Sequence, residues 1–235
     1  MGKRAGFSLV ELLVVVAVIT ILLAILAPSY RRIVVRGQAV QCQNNQHQLL
    51  IAYAQWSADR GMRIVSSNTG SGCWVASSSY GGNTLEGIVR GELYQYVQNV
   101  RPYRCPTPVY DYYSSYSFSG LLNGEDGGYG SLQLWTHILE PSMTMACMED
   151  DDFRGYNVNS WMIRTGDGEW VDYVAGNHDS GDNLGFCDGH STYYKWLDPD
   201  TLTYPYPPGG GSPGFYGIDR GSVDTAAIQK VYRPW

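Results

Sequence analysis

The sequence predicts an α+β protein: a long N-terminal α-helix whose first half is transmembrane, packed on a C-terminal head built around an antiparallel β-sheet. Three observations carry this reading. Residues 7–27 form an apolar run in which Glu11 is the only charge, long enough to span a bilayer as a helix, which takes about 20 residues. Beyond it, Ala39, Cys42, Gln46, Leu49, Tyr53 and Trp56 recur at alternating spacings of three and four, which is one face of a continuing helix. From Met62 the chain turns rich in Gly, Ser, Tyr and Trp. Its short apolar stretches there follow one another rather than alternating with helices, as in an antiparallel sheet.

Taken in order, residues 1–6 form a short basic leader with Lys3 and Arg4, ending at Gly6. A positive start suits a secretory signal, but the small residue precedes the apolar run instead of following it. Cleavage after Gly6 therefore leaves the helix on the mature chain and exposes an amine on Phe7. Lys3 and Arg4 favour a cytoplasmic N-terminus, and Arg31, Arg32 and Arg36 beyond the run weaken that bias. An acid near the centre of a membrane helix costs about 2.5–3.5 kcal/mol, and less near its end. Glu11 is thus expected to serve a purpose, and pairing with the Phe7 amine of a neighbouring chain would relieve its cost.

Pro28 is expected to break or kink the helix by removing one backbone hydrogen bond. Gly61, after Asp59 and Arg60, reads as the C-terminal cap, so the helix covers residues 7–61 and would be about 80 Å long if unbroken. The head then runs over residues 62–235. Strands are expected at 62–65, 112–118, 143–148, 160–163, 184–187 and 192–196, with a short helix within 85–97. Asp188-Gly189 lies between the last two, a favoured hairpin turn. The Pro-, Gly- and Tyr-rich segment 204–216 reads as an irregular extension.

With 22 acids against 16 bases, the chain has no nucleic-acid-binding balance. Its bases gather at Arg31, Arg32, Arg36, Arg60 and Arg63 and its acids between residues 140 and 200. These either attract one another in an assembly or form two separate solvated faces. Cys42, Cys73, Cys105, Cys147 and Cys187 include no Cys-x-x-Cys zinc pair. With Cys42 on the long helix, any disulfides are expected among the other four.

The opening Gly6-Phe7-Ser8-Leu9-Val10-Glu11-Leu12-Leu13, with Pro28 downstream, resembles the prepilin leader shared by type IV pilins and type II secretion pseudopilins. The resemblance implies a pilin-like fold and cleavage between Gly6 and Phe7 by a prepilin peptidase. It further implies methylation of the Phe7 amine, and assembly with identical subunits into a helical filament through Glu11. Its partners would be the membrane before assembly and an inner-membrane assembly machine. His178, nine residues, then Asp188-Gly189-His190, together with Arg104-Cys105-Pro106, Tyr116-Ser117 and Pro141-Ser142, is similar to the prepilin-like "H-x9-DG" proteins.

Several sites in the head have competing readings. His178 and Asp188 would hydrogen-bond across strand ends. Alternatively Asp179, Asp182 and Asp188, with Asn177 and Asn183, would hold calcium, a cation that prefers such oxygens; some major pseudopilins carry calcium in a C-terminal loop. A zinc site from His178, His190 and an Asp is the weakest of the three. The run Glu149-Asp150-Asp151-Asp152 reads as a solvated turn after a strand. The nineteen tyrosines and seven tryptophans read as packing more than as an adhesive surface. None of the six serines between Ser66 and Ser79 sits in a Gly-x-Ser-x-Gly elbow, and no Gly-x-x-x-x-Gly-Lys or His-Glu-x-x-His occurs, so no catalytic residue is assigned.

The expectation is therefore a filament subunit, not an enzyme. It would be single-pass in the inner membrane before assembly and then part of a cell-surface filament. The alternatives are a type II secretion pseudopilin in a periplasmic pseudopilus and, more distantly, a membrane-anchored periplasmic enzyme or binding protein.

Overall fold

The computed structural model describes residues 8–76, 84–107, 113–125, 130–150, 159–164, 169–172, 174–202 and 222–233. The chain divides into two compact units, Met1–Gly37 and Gln38–Trp235. The long helix α1 spans Leu9–Asp59, and the antiparallel-rich sheet follows it, so the layout is α+β and pilin-like.

In the first unit the large apolar side chains from Leu9 to Leu26 are exposed. This stretch is long and apolar enough to cross a membrane by length and composition. The expected break at Pro28 is absent from the backbone, for α1 continues through it. A proline forfeits one hydrogen bond of the ladder, and the helical turns on either side carry the structure past it. The end of α1 follows the sequence closely. Gly61 takes a left-handed φ of 65°, and the Met62 amide returns to the Ser57 carbonyl at 2.8 Å, which closes the last turn as a Schellman cap.

In the second unit the expected helix face is buried throughout: Ala39, Cys42, Gln46, Leu49, Tyr53 and Trp56 are at most 9% exposed. It lies on a five-stranded sheet of order β5-β3-β4-β8-β9, made of β3 (Tyr116–Ser119), β4 (Met145–Glu149), β5 (Ser160–Trp161), β8 (Gly181–Phe186) and β9 (Ser191–Lys195). All neighbours are antiparallel except β3 and β5. Tyr53 stacks on Phe118 with centroids 4.9 Å apart. The helix packs closely over Gly185 of β8: a Cβ there would meet Cys147 Sγ at 2.7 Å and Leu50 Cδ1 at 3.0 Å.

The expected strand at 62–65 is displaced. Met62 has a φ of 63° as the chain leaves the helix cap, and only Arg63 bridges, to Leu134. Pairing starts instead at β1 (Ser66–Thr69), parallel to β2 (Cys73–Val75). The expected strand at 160–163 divides between β5 and β6 (Ile163–Arg164), and β6 pairs with β7 (Glu169–Trp170). The stretch 85–97 holds two short helices, α2 (Leu85–Arg90) and α3 (Tyr94–Val97). Two more follow the sheet, α4 (Pro199–Leu202) and α5 (Val223–Tyr232). The extension 204–216 lies outside the described residues.

The sheet's other face is an aromatic layer. Trp161, Trp170, Trp196 and Tyr232 are buried there with Met148, Leu184, Phe186 and Ile228, and Trp170 meets Trp196 edge to face at 5.7 Å. These aromatic side chains pack into the core, as the sequence suggested. Asp224 anchors α5 in this layer. Its carboxylate accepts from the Leu197 and Asp198 amides at 2.9 and 2.8 Å, the Thr201 hydroxyl at 3.0 Å and the Tyr194 hydroxyl at 2.9 Å. Asp224→Ala leaves those donors unanswered in the interior and should cost about 2–3 kcal/mol, a fall of roughly 5–10 °C in Tm. Lys230→Ala, on the exposed side of α5, should stay within about 0.5 kcal/mol. Thermal unfolding of the full chain followed by circular dichroism compares the two.

Candidate functional site

Two places carry chemistry. The first is the start of α1. Ser8 is its N-cap: the Ser8 amide donates to Glu11 Oε2 at 2.8 Å, and the Glu11 amide donates to Ser8 Oγ at 3.2 Å. This is a capping box, in which each side chain satisfies the other residue's orphan backbone donor. Its signature, Ser8-x-x-Glu11 ahead of an apolar run, stood in the sequence beside the Glu11 reading, and it gives the acid a partner within its own chain. Gly6 and Phe7 lie outside the described residues.

The second place is buried beneath α1. Four elements bring Cys42, Cys105, Glu149 and His178 together. Cys42 comes from the helix face. Cys105 follows the 3-10 turn Arg101–Tyr103, where the Arg104 carbonyl accepts from Asn45 Nδ2 at 2.9 Å. Glu149 ends β4. His178 precedes β8, at a reversal where Asp179 and Ser180 hold φ values of 55° and 60°. The potential ligand atoms of all four lie within 4.8 Å of one another, and each residue is no more than 1% exposed.

His178 Nε2 lies 2.8 Å from Glu149 Oε1 and 3.5 Å from Cys105 Sγ, while His178 Nδ1 has no partner among the described residues. The second Glu149 oxygen accepts from the Asn183 amide at 3.0 Å. The Thr107 amide donates to Cys105 Sγ at 3.3 Å. Burial pushes the Cys42 thiol up. The Cys42 hydrogen bond outweighs burial at Cys105 and, with His178 and Thr107, brings that thiol down to about 6. Burial pulls the His178 imidazole down, but its bonds to Cys105 and Glu149 prevail and hold it up at about 10. The cluster is a buried, low-dielectric site that brings four electron-pair donors together.

This geometry replaces the expected partner of His178, which is Glu149 and not Asp188. Asp188 sits at the far end of β8, about 20 Å along a six-residue strand, where its carboxylate takes His190 Nδ1 at 2.6 Å in an exposed turn. Gly189, with φ 94°, makes the expected hairpin turn, and its carbonyl meets His47 Nδ1 at 2.7 Å. The three aspartates of the calcium reading do not converge. Asp179 is exposed beside Lys195 at 3.7 Å. Asp182 is buried, accepting from Trp196 Nε1 at 2.9 Å and the Ala175 amide at 3.0 Å; burial and the Glu149 charge hold its carboxyl well above the usual range. His178 and His190 are divided by the same strand, which also separates the zinc set expected from them. Glu149 and Asp150 are buried rather than in a solvated turn, and Asp151 and Asp152 lie outside the described residues. All five cysteines are free thiols, and Cys42, which the sequence reading set apart from the other four, is the one beside Cys105.

Residues 1–27 match the family model described as the prokaryotic N-terminal methylation motif. No curated protein and no solved structure matches the chain. The motif supports a type IV pilin-like or pseudopilin-like protein with a prepilin-type start, and it points to a structural protein. With the apolar helix it is consistent with membrane anchoring before assembly.

Glu149→Ala should destabilise the chain by at least about 3 kcal/mol, because it strands His178 and the Asn183 amide in the interior. Asp188→Asn should cost no more than about 1 kcal/mol, since its His190 contact is exposed. Denaturant unfolding of both variants distinguishes this pairing from a His178–Asp188 bond.

Proposed function

We propose that the protein is the structural subunit of a type IV pilus-like filament, cut by a prepilin peptidase between Gly6 and Phe7 and assembled through α1. The observation that carries this reading is the methylation motif over residues 1–27 on a helix whose apolar side chains, from Leu9 to Leu26, have no cover within the chain. Before assembly that surface is covered by lipid. In a filament it is covered by the same helix of other subunits, with the heads outside.

Glu11 sets the register of that bundle. In the single chain Ser8 satisfies one of its oxygens, which eases the acid's stay in lipid. In the bundle the Phe7 amine of the next subunit neutralises the charge, and an unpaired carboxylate in such an interior costs several kcal/mol. The reading applies to a surface filament or a periplasmic pseudopilus, since both use the same helix.

Native protein should begin at N-methylated Phe7, which intact-mass analysis reads directly; a start after Ala27, or a retained Met1 in assembled material, would refute the processing. Glu11→Val should be cleaved and inserted normally, yet yield at least tenfold fewer sheared filaments than the unmodified chain. Equal yield would remove the pairing role. A chain active as an isolated membrane monomer, with no need of Glu11, would favour an anchored enzyme or binding protein.

A further inference from the structure

We infer that Cys42, Cys105, Glu149 and His178 form a closed, four-coordinate zinc site that staples α1 to the sheet. The inference does not rest on the filament reading, because it concerns the interior of the second unit alone.

The donor set fits the ion. Two sulfurs, one imidazole nitrogen and one carboxylate oxygen are ligands that zinc accepts in tetrahedral geometry. Bonds of about 2.0–2.3 Å place ligand atoms of such a site roughly 3.3–3.8 Å apart. The Cys105–His178 separation of 3.5 Å is already in that range, and all four atoms fall within 4.8 Å. The Glu149–His178 contact, at 2.8 Å, opens by about half an ångström to admit the metal.

Glu149 Oε1 and Cys105 Sγ both face His178 Nε2, and the Cys42 sulfur closes the same group. A cation at their common centre answers all of them at once. The surroundings are arranged as outer ligands usually are. The Asn183 amide holds the far oxygen of Glu149, which leaves Oε1 for the site, and the Thr107 amide donates to the Cys105 sulfur.

On binding, each thiol gives its proton to solvent. Zinc with two thiolates and one carboxylate carries a net charge of −1, and no redox step is needed. With four protein ligands there is no open position for water or substrate, so the role is structural. The site joins the helix, the segment after the 3-10 turn, β4 and the turn before β8.

The test uses the full chain, isolated from membranes in detergent with thiols kept reduced. Elemental analysis should find one zinc per chain. Exchange for cobalt(II) should give a thiolate-to-cobalt charge-transfer band and the intense visible bands of a four-coordinate ion. Cys105→Ser and Cys42→Ser should each weaken zinc binding more than about 100-fold, beyond the effect of outer-ligand changes, and Glu149→Gln should shift the visible bands. Cys187→Ser, a buried thiol outside the group, should retain one zinc and the same spectrum. Should the cysteine variants fail to fold, the spectrum of the unmodified chain and the Glu149→Gln shift decide the matter. Three results would overturn the site: no thiolate band from the folded, reduced chain; a band unchanged in Cys105→Ser; or a Cys42–Cys105 disulfide with no metal in natively isolated protein trapped by alkylation.

Discussion

The Glu149 carboxylate has no exposed surface, and the seating of α1 depends on how it is answered. One oxygen faces His178 and the other accepts the Asn183 amide. Asn183 in turn donates from Nδ2 to the Ala39 carbonyl at 3.1 Å, and its own carbonyl accepts from Gln46 Nε2 at 2.7 Å. A continuous polar seam thus runs from β4 through β8 to two turns of the helix. Buried polar groups of this kind add little net stability over apolar ones of equal volume, but they are severe when mispaired. They fix which turn of the helix meets which strand, while Leu49, Leu50 and Tyr53 supply the apolar burial around them.

Strand β8 separates two environments by simple alternation. Asn183 and Gly185 face the helix, where Gly185 leaves room for Leu50 and Gln46. Leu184 and Phe186 face the tryptophan layer under α5, and Asp182 points to the same side to meet Trp196. Three buried carboxylates of the second unit have separate tasks. Glu149 serves the helix, Asp182 the edge strand, and Asp224 gathers the chain between β9 and α5.

The sequence made the helix legible because its signals are local. Three- and four-residue spacing exposed the face from Ala39 to Trp56, Gly61 marked the end, and Asp188-Gly189 marked the hairpin. Strand β8 began earlier than its pattern suggested, since Gly181, Asp182 and Asn183 are ordinary turn residues. They extend here because the helix takes the Asn183 amide group and Trp196 donates to one oxygen of Asp182. Glu149 was hidden by its neighbours: four acids in a row look solvated, and nothing local says that the first belongs to a buried strand. Cys42 and Cys105 are far apart in the chain, and no spacing rule joins them. Helix α5 did leave a trace. Ser222 caps it by accepting the Thr225 amide at 3.1 Å, but ten residues behind a Pro- and Gly-rich stretch gave a weak period.

The polar seam also has a mechanical meaning. The Ala39, Asn45 and Gln46 attachments to Asn183 and Arg104, with Ser191 Oγ donating to Gln46 Oε1, are all anchored to two successive turns of one helix. A tug along the axis of α1 strains them together rather than one after another. Bonds loaded in parallel must yield at the same moment, whereas a zipper opens link by link. Within the second unit, tension along this stretch of helix is therefore shared across the sheet before any single contact gives way.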